Sequence, residues 1–321
     1  MSPEEARAGV PLTNLDQPLF EGAGATKRDL VEYLDAVHDR ILPELEDRPL
    51  SVIRVHRGQE AFMQKNVPRY TPDWVRTARL WSESSRRDVD YALCNDRRTL
   101  IWFANQRAVE YHPTLVRVER LETPTHLVID LDPPDAGAFA MGARVALLVR
   151  AALSELGLEG AVKTSGSKGV HVFVPVKGQP PMADAAAATR AIAERATRLD
   201  PQIATTAFMK EDRGGKVFID ATRVGWASVI SAYSPRVRPG TPVSFPVAWD
   251  DLDAVSPGEF TVHTAIRQLG DGDPWAEHMP PPQSLSASLI EEGASIPGGR
   301  LQAMHEGRRR ARQRRAEQRQ E

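Results

Sequence analysis

Cysteine is almost missing. Cys94 stands alone in 321 residues, which excludes an internal disulfide and a cysteine-built metal cluster and leads to the expectation of a reducing, cytoplasmic location. Lysine is scarce as well. Only seven occur (Lys27, Lys65, Lys163, Lys168, Lys177, Lys210 and Lys216), and arginine greatly outnumbers them. An ammonium is a compact, mobile point charge and a guanidinium a planar fork, so the few lysines are candidates for places where a point charge matters. Neither sign of charge dominates: the formal net charge is −2. Contact with nucleic acid would have to come from local patches, not from an overall basic field. No apolar run is long enough to span a bilayer. The opening MSPEEARAGVPLTN is acidic and polar, unlike a signal peptide. A protein without a membrane association is therefore expected.

What is present describes an ordinary globular chain, long enough for one large domain or two modest ones. Thr26 is a helix N-cap signal before KRDLVEYLDAVHDRILPEL, where Leu30, Leu34, Val37, Ile41 and Leu45 recur at helical spacing. Lys27 sits at that helix start with Asn14 upstream, so this end is either an anion site or a capped surface helix. SVIRVHRG alternates as a strand does. AFMQKNVPRYTPDW mixes aromatic and basic side chains, which suits stacking on bases and holding phosphates, or a packed loop with solvated charges. VDYALCND, TLIWFANQRAVEYHP and LVRVERL suggest strand, helix and strand, with His112 at the helix end. The last residues, GRRRARQRRAEQRQE, form a basic, apolar-poor run, either a helical extension or a solvated tail.

The informative stretch is THLVIDLDPPDAG, followed by a helical segment and then VKTSGSKGVHVFVPV. On a strand, Val128, Asp130 and Asp132 share one face and Leu127, Ile129 and Leu131 the other. Two carboxylates on one buried face are costly unless something positive lies between them, and a divalent metal is the obvious candidate. The plainer alternative is a strand end made of turn formers. Residues 139–157 read as a helix, SGSKG as a turn of small residues whose amides can approach a phosphate, and VHVFVPV as a strand with His171 and Phe173 on one face. A second helix over 184–199 and the strand KVFID, ending in Asp220, complete the order strand, helix, hairpin, helix, strand. That order predicts an α/β or α+β layer with a mixed sheet.

If Asp130, Asp132 and Asp220 converge, an oxygen-only set suits Mg²⁺ or Mn²⁺ better than zinc. A pair of such ions clamps the attacking and leaving oxygens of a phosphoryl displacement. Ser165, Ser167, Lys168 and His171 are then candidates to cradle a triphosphate, with Arg236 neutralising charge on pyrophosphate.

DLDPPD, SGSKGVHVFVP and KVFID, in that order and spacing, resemble the three motifs of archaeo-eukaryotic primase-polymerases. The match is closest to the polymerase domain of bacterial DNA ligase D of non-homologous end joining and its stand-alone relatives, over residues 12–252. The resemblance implies a primase-like core of mixed and antiparallel sheets flanked by helices. It implies a primase-polymerase domain over 10–285, an N-terminal lobe to about 120 and a catalytic core from about 121, then a basic extension over 286–321. Asp130, Asp132 and Asp220 would hold two ions, Mn²⁺ or Mg²⁺. His112, Ser165, Ser167, Lys168, His171 and Arg236 would hold the nucleotide, Phe62 and Lys65 the template end, and Asn14 and Lys27 a 5′-phosphate. The implied substrates are NTP or dNTP and DNA with gaps or broken ends, the implied partners Ku and a separate DNA ligase. Gln17 stands where a lysine is usual, Met63 where a second phenylalanine is common and Thr114 where a tryptophan often follows HP, and the segment after Asp220 is short and lacks its customary asparagine. A primer-making primase and a non-catalytic DNA-end-binding module are the alternative functions.

Overall fold

The computed structural model describes residues 5–56, 58–82 and 85–298; the basic run over 307–321 lies outside them. Two sheets carry the chain. The first follows a short hairpin, β1 (Ala6–Arg7) and β2 (Val10–Pro11), and two helices, α1 (Lys27–Ala36) and α2 (His38–Leu45). Its strands are β3 (Leu50–Arg54), β4 (Phe62–Gln64), β5 (Thr77–Ser82), β6 (Arg87–Ala92) and, after α3 (Arg97–Asn105), β7 (Ala108–Pro113). They pair in the order β4-β3-β6-β5, with β7 also on β3.

The second sheet is built from β8 (His126–Asp132), α4 (Phe139–Glu155), the hairpin β9 (Ala161–Thr164) and β10 (Val170–Pro175), α5 (Met182–Leu199), β11 (Ala204–Thr205), β12 (Val217–Asp220) and β13 (Pro246–Val247). Its order is β11-β12-β8-β10-β9-β13, antiparallel except for β11 with β12. The expected mixed α+β layer is thus the observed one. Short helices α6 (Ala265–Leu269) and α7 (Pro274–His278) follow, then α8 (Ala287–Ala294). α8 packs on α5 so closely that a Cβ on Gly293 would collide with the Ala187 carbonyl.

The alternation read from the sequence decides the layering. Leu127, Ile129 and Leu131 join Val170, Val172 and Val174 in a core with the inner residues of α4 and α5, among them Val145, Val149, Ala188 and Ile192. Val128 and Phe173 face the other way, into a core made by the first sheet, α1 to α3 and the returning segment with Val229, Tyr233, Phe245 and Trp275. Residues 136–155 are long and apolar enough by length and composition to cross a bilayer, contrary to the expectation that no run is. Here, however, the buried stripe of α4 lies against the sheet, as a core helix does.

Three local expectations are corrected. The helix expected over 27–45 is two, because the ladder breaks at Val37: the His38 ring bonds the Asp35 carbonyl (2.6 Å), which would otherwise continue the helix. His112 lies on strand β7 and not at a helix end. Arg107 turns the chain in the left-handed region (φ 61°), its guanidinium tied to the carbonyls of Val55, Pro18 and Leu19. LVRVERL is no strand; Leu115 and Val116 are buried in a loop, and Arg117 and Arg120 form only an isolated bridge.

Candidate active site

One row of residues runs across four neighbouring strands. Asp220 of β12 is paired with Asp130 of β8, Asp130 with His171 of β10, and His171 with Lys163 of β9. Paired residues project on the same side of a sheet, so two acids, an imidazole and an ammonium stand in line. Asp132 lies one step further along β8, opposite Phe218.

The row is electrostatically ordered from its buried end. Lys163 is fully buried, and its Nζ donates to Ser244 Oγ (2.6 Å) and to His171 Nδ1 (3.0 Å). Burial, and then the Arg236 charge, push the Lys163 pKa well down; with its Nζ as the donor, the ring proton lies on Nε2, which faces Asp130 Oδ1 at 3.3 Å. Burial, and then the Lys163 ammonium, push His171 down to about 4, so the ring is neutral near pH 7. Burial opposes ionisation of Asp130, but His171, Arg223 and Lys163 together hold it at about 2. Asp132 is pushed up, first by burial and then by the neighbouring Asp130 charge. Thr222 donates its amide (2.8 Å) and hydroxyl (2.6 Å) to Asp220 Oδ1.

An open cleft of about 360 Å³ lies over the middle of this row, lined by Asp130 and His171 but not by Asp220 or Lys163. It is lined by eight of the residues singled out in the sequence: His112, Asp130, Asp132, Ser165, Ser167, Lys168, His171 and Arg236. Gly166 and Gly169 make the SGSKG turn possible. Gly166 has φ 65°, and a Cβ there would strike Arg236 and Ser244, while one on Gly169 would sit 2.5 Å from the Leu131 carbonyl. Ser165 Oγ closes the turn by accepting from the amides of Ser167 (3.2 Å) and Gly169 (3.0 Å). Ser165, Ser167, Lys168 and Gly169 of the turn line the cleft; Lys168 Nζ also bonds the Pro133 carbonyl.

Sequence reasoning missed Glu110. It is 2% exposed, and its Oε2 accepts from His112 Nε2 (2.8 Å) while Oε1 accepts from the Val237 amide (2.8 Å) and forms an ion pair with Arg236 Nε (3.2 Å). Arg236 also donates to the Ser165 carbonyl (2.6 Å). One buried carboxylate thus positions two cleft residues. Burial would raise its pKa, but His112 and Arg236 outweigh that and hold it at about 2. Arg223, also unnoticed in the sequence, lines the cleft too, together with Arg238 and Met63. The scarcity of lysine was a usable signal for Lys163; nothing local marked Glu110 or Arg223.

Phe62 lies on β4 beside Met63 and is 38% exposed, with its ring stacked on His56 at 5.3 Å and the Arg54 guanidinium 5.9 Å away. Lys65 follows the same strand. His56 in turn lines a second cavity with Gln17, Phe20 and Arg107. Asn14 is exposed in the left-handed region (φ 53°). The start of α1 is capped, not open: Thr26 and Asp29 form a reciprocal capping box, and the amides of Lys27 and Arg28 bond the carbonyls of Gln17 and Leu15. The Lys27 ammonium is buried against the Thr13 carbonyl and hydroxyl, and burial followed by the Arg107 charge pushes it down to about 8.

The donor chemistry of Asp130, Asp132 and Asp220 suits a hard divalent ion. Among the described residues no three His, Cys, Asp or Glu side chains stand close enough to hold an ion as placed. A cation is nevertheless in place: Arg223 Nε lies 3.4 Å from Asp130 Oδ2 and 3.3 Å from Asp220 Oδ2. The pair of carboxylates therefore fits a positive charge between them, and a guanidinium stands in for it.

Comparison with known proteins identifies the family and the fold. Residues 26–275 match the family model described as LigD, primase-polymerase domain. The chain is 31% identical over 287 residues to the bifunctional non-homologous end joining protein LigD of Bacillus subtilis, covering 88% of this chain and 46% of that protein. It is 31% identical over 248 residues to the multifunctional LigD of Mycolicibacterium smegmatis, covering 76% and 32%. It thus spans less than half the length of these curated relatives. Among solved structures, the polymerase domain of Mycobacterium tuberculosis ligase D in complex with DNA superposes with a TM-score of 0.76 at 29% identity, over 84% of this chain and 99% of that one.

Proposed function

This chain belongs to the LigD primase-polymerase domain family, and from that premise we propose that it is a nucleotidyltransferase. It extends a DNA 3′-hydroxyl with NTP or dNTP at gaps and broken ends, in double-strand-break repair by non-homologous end joining. The observation that carries the proposal is the row Asp220–Asp130–His171–Lys163, of which Asp130 and His171 line a cleft shared with Asp132, Lys168, Arg236 and Arg238. Acids beside a cluster of cations are what a polyanionic substrate that travels with its own cations requires.

Asp130, Asp132 and Asp220 would hold two divalent ions, Mn²⁺ or Mg²⁺, which when bound stabilise the attacking and leaving oxygens of the displacement. The chain's own groups do the rest. Lys168, Ser167 and Arg236 orient the triphosphate, and Glu110 holds Arg236 and His112 at the cleft wall. Lys163 fixes the His171 tautomer, so that an N–H and not a lone pair faces Asp130. Phe62, on the edge strand next to Met63, stacks on the template end with Lys65 beside it. Asn14 and Lys27 grip a 5′-phosphate across the break, with Lys27 freed from the Thr13 carbonyl when it does so. Ku and a separate DNA ligase are the proposed partners, and the bacterial cytoplasm, at the nucleoid, the proposed location.

Extension of a gapped duplex, run with ribo- and deoxynucleotides in Mg²⁺ and in Mn²⁺, tests this. Asp130→Ala is expected to reduce extension at least about 100-fold while DNA binding persists. Full extension by that variant would sink the assignment. Products on an unprimed single strand would point instead to a primer-making primase, and 5′-phosphate-dependent binding with no incorporation to an end-binding module.

A further inference from the structure

The cation between Asp130 and Asp220 is part of the chain. We propose that Arg223 is a resident counter-ion of the catalytic carboxylates, which a divalent ion must displace, and that the displaced guanidinium then pairs with the substrate's phosphate. The inference rests on the metal-binding role given above to Asp130, Asp132 and Asp220.

The oxygens involved argue for competition at one place. Asp220 Oδ1 is held by the amide and hydroxyl of Thr222, and Asp130 Oδ1 faces the Nε2 proton of His171. The oxygens left to receive an ion between the two strands are Oδ2 of each, and Arg223 Nε stands within 3.4 Å of both. An ion between these carboxylates and the guanidinium cannot share the position, since like charges that close repel strongly.

Burial shows which partner moves. The Asp130 and Asp220 side chains are 14% and 8% exposed and sit on paired strands, whereas Arg223 is 42% exposed on a segment without helix or strand. An ion pair with so exposed an arginine is weak, and a doubly charged ion at comparable distance outcompetes it. The same cleft offers the released side chain little reason to stay while it is without substrate, because Lys168, Arg236 and Arg238 already make its far wall positive. A triphosphate changes that balance: it brings oxygens that a guanidinium can bind through two N–H groups at once. Arg223 therefore penalises the metal arriving alone more than it penalises metal and nucleotide arriving together.

The test is metal binding, not turnover. The full chain, stripped with EDTA and checked for native circular dichroism, is titrated with Mn²⁺ alone while free Mn²⁺ is read by electron paramagnetic resonance. The titration is then repeated with a saturating non-hydrolysable nucleoside triphosphate. Arg223→Gln is expected to bind Mn²⁺ alone about three- to tenfold more tightly than the wild type, with Arg223→Lys between them. With the triphosphate present the gap should close. In EDTA, Arg223→Gln should melt below the wild type, because two carboxylates have lost their cation, and gain more from added Mn²⁺. Equal or weaker Mn²⁺ binding by Arg223→Gln overturns the proposal. If the glutamine variant does not fold, Arg223→Lys carries the same comparison, and an unchanged Mn²⁺ affinity in it overturns the proposal equally. If neither wild type nor variant binds Mn²⁺, the metal reading of the three aspartates falls along with it.

Discussion

Strand β8 has two faces that obey different rules. Leu127, Ile129 and Leu131 are fully buried under α4 and α5, where only volume and apolarity matter. Asp130 and Asp132, alternating with them, sit on a face where every charge has a named counterpart: His171, Arg223 and Lys163 for Asp130, Lys168 and Arg213 for Asp132. The first face secures the strand with many interchangeable contacts, the second aligns a few groups that are not interchangeable. Stability and chemistry are thus separable within seven residues.

That separation is testable. The largest effect belongs to the charged face: Asp130→Ala should leave the fold and remove extension, as set out above. Ile129→Ala should do the reverse. Truncating this fully buried side chain is expected to cost about 2–5 kcal/mol of unfolding free energy in urea titrations, while extension per folded molecule stays near that of the wild type. Loss of activity without loss of stability at position 129 would merge the two faces into one. Glu110 sharpens the contrast with pH. Its carboxyl is held at about 2 in the fold against an ordinary value of 4.5. Its contribution is therefore complete above about 4.5 and lost as pH falls toward 2, because the unfolded chain takes up the proton first. The shift corresponds to at most about 3 kcal/mol. The stability gap between wild type and Glu110→Gln should accordingly shrink over that window in acid titrations followed by thermal melts; a gap constant with pH would mean that the carboxylate charge is not what Arg236 and His112 stabilise. The smallest effect is far from both faces. Arg195 on α5 meets Glu292 on α8 at 2.6 Å, but the arginine is 32% exposed. Arg195→Ala should cost about 1 kcal/mol or less and should cost less still in high salt.

Much of this was legible in the sequence where the signal is local. Alternation alone placed Asp130 and Asp132 opposite Ile129, the spacing of small residues gave the SGSKG turn, and the alanine-rich run gave α5. What was not legible depends on partners distant along the chain. The strand carrying His112 follows a left-handed turn at Arg107 that is held by carbonyls at residues 18, 19 and 55, and no window around residue 107 contains them. Glu110 gains its role from Arg236 and Val237, and Arg223 from Asp130. The break at Val37 turns on one side chain, His38, competing for a carbonyl that a purely periodic pattern assigns to the helix. Electrostatic roles were hardest to read because charge complementarity leaves no period in the sequence.

The register of β12 on β8 also has a consequence for how the molecule comes to be. β10 reaches β8 across roughly forty residues of chain, whereas Asp220 reaches Asp130 across roughly ninety, and each doubling of a loop adds about 0.6 kcal/mol of closure entropy. The three-stranded unit β9-β10-β8, backed by α4, is expected to form first, with β12 closing last in a slow, non-local step. Until it does, one edge of β8 carries unpaired backbone groups beside Asp130 and Asp132, an edge that invites pairing with another chain. The final strand therefore completes the proposed reactive centre and caps an aggregation-prone edge in the same event, so a nascent chain is hazardous until that centre is assembled.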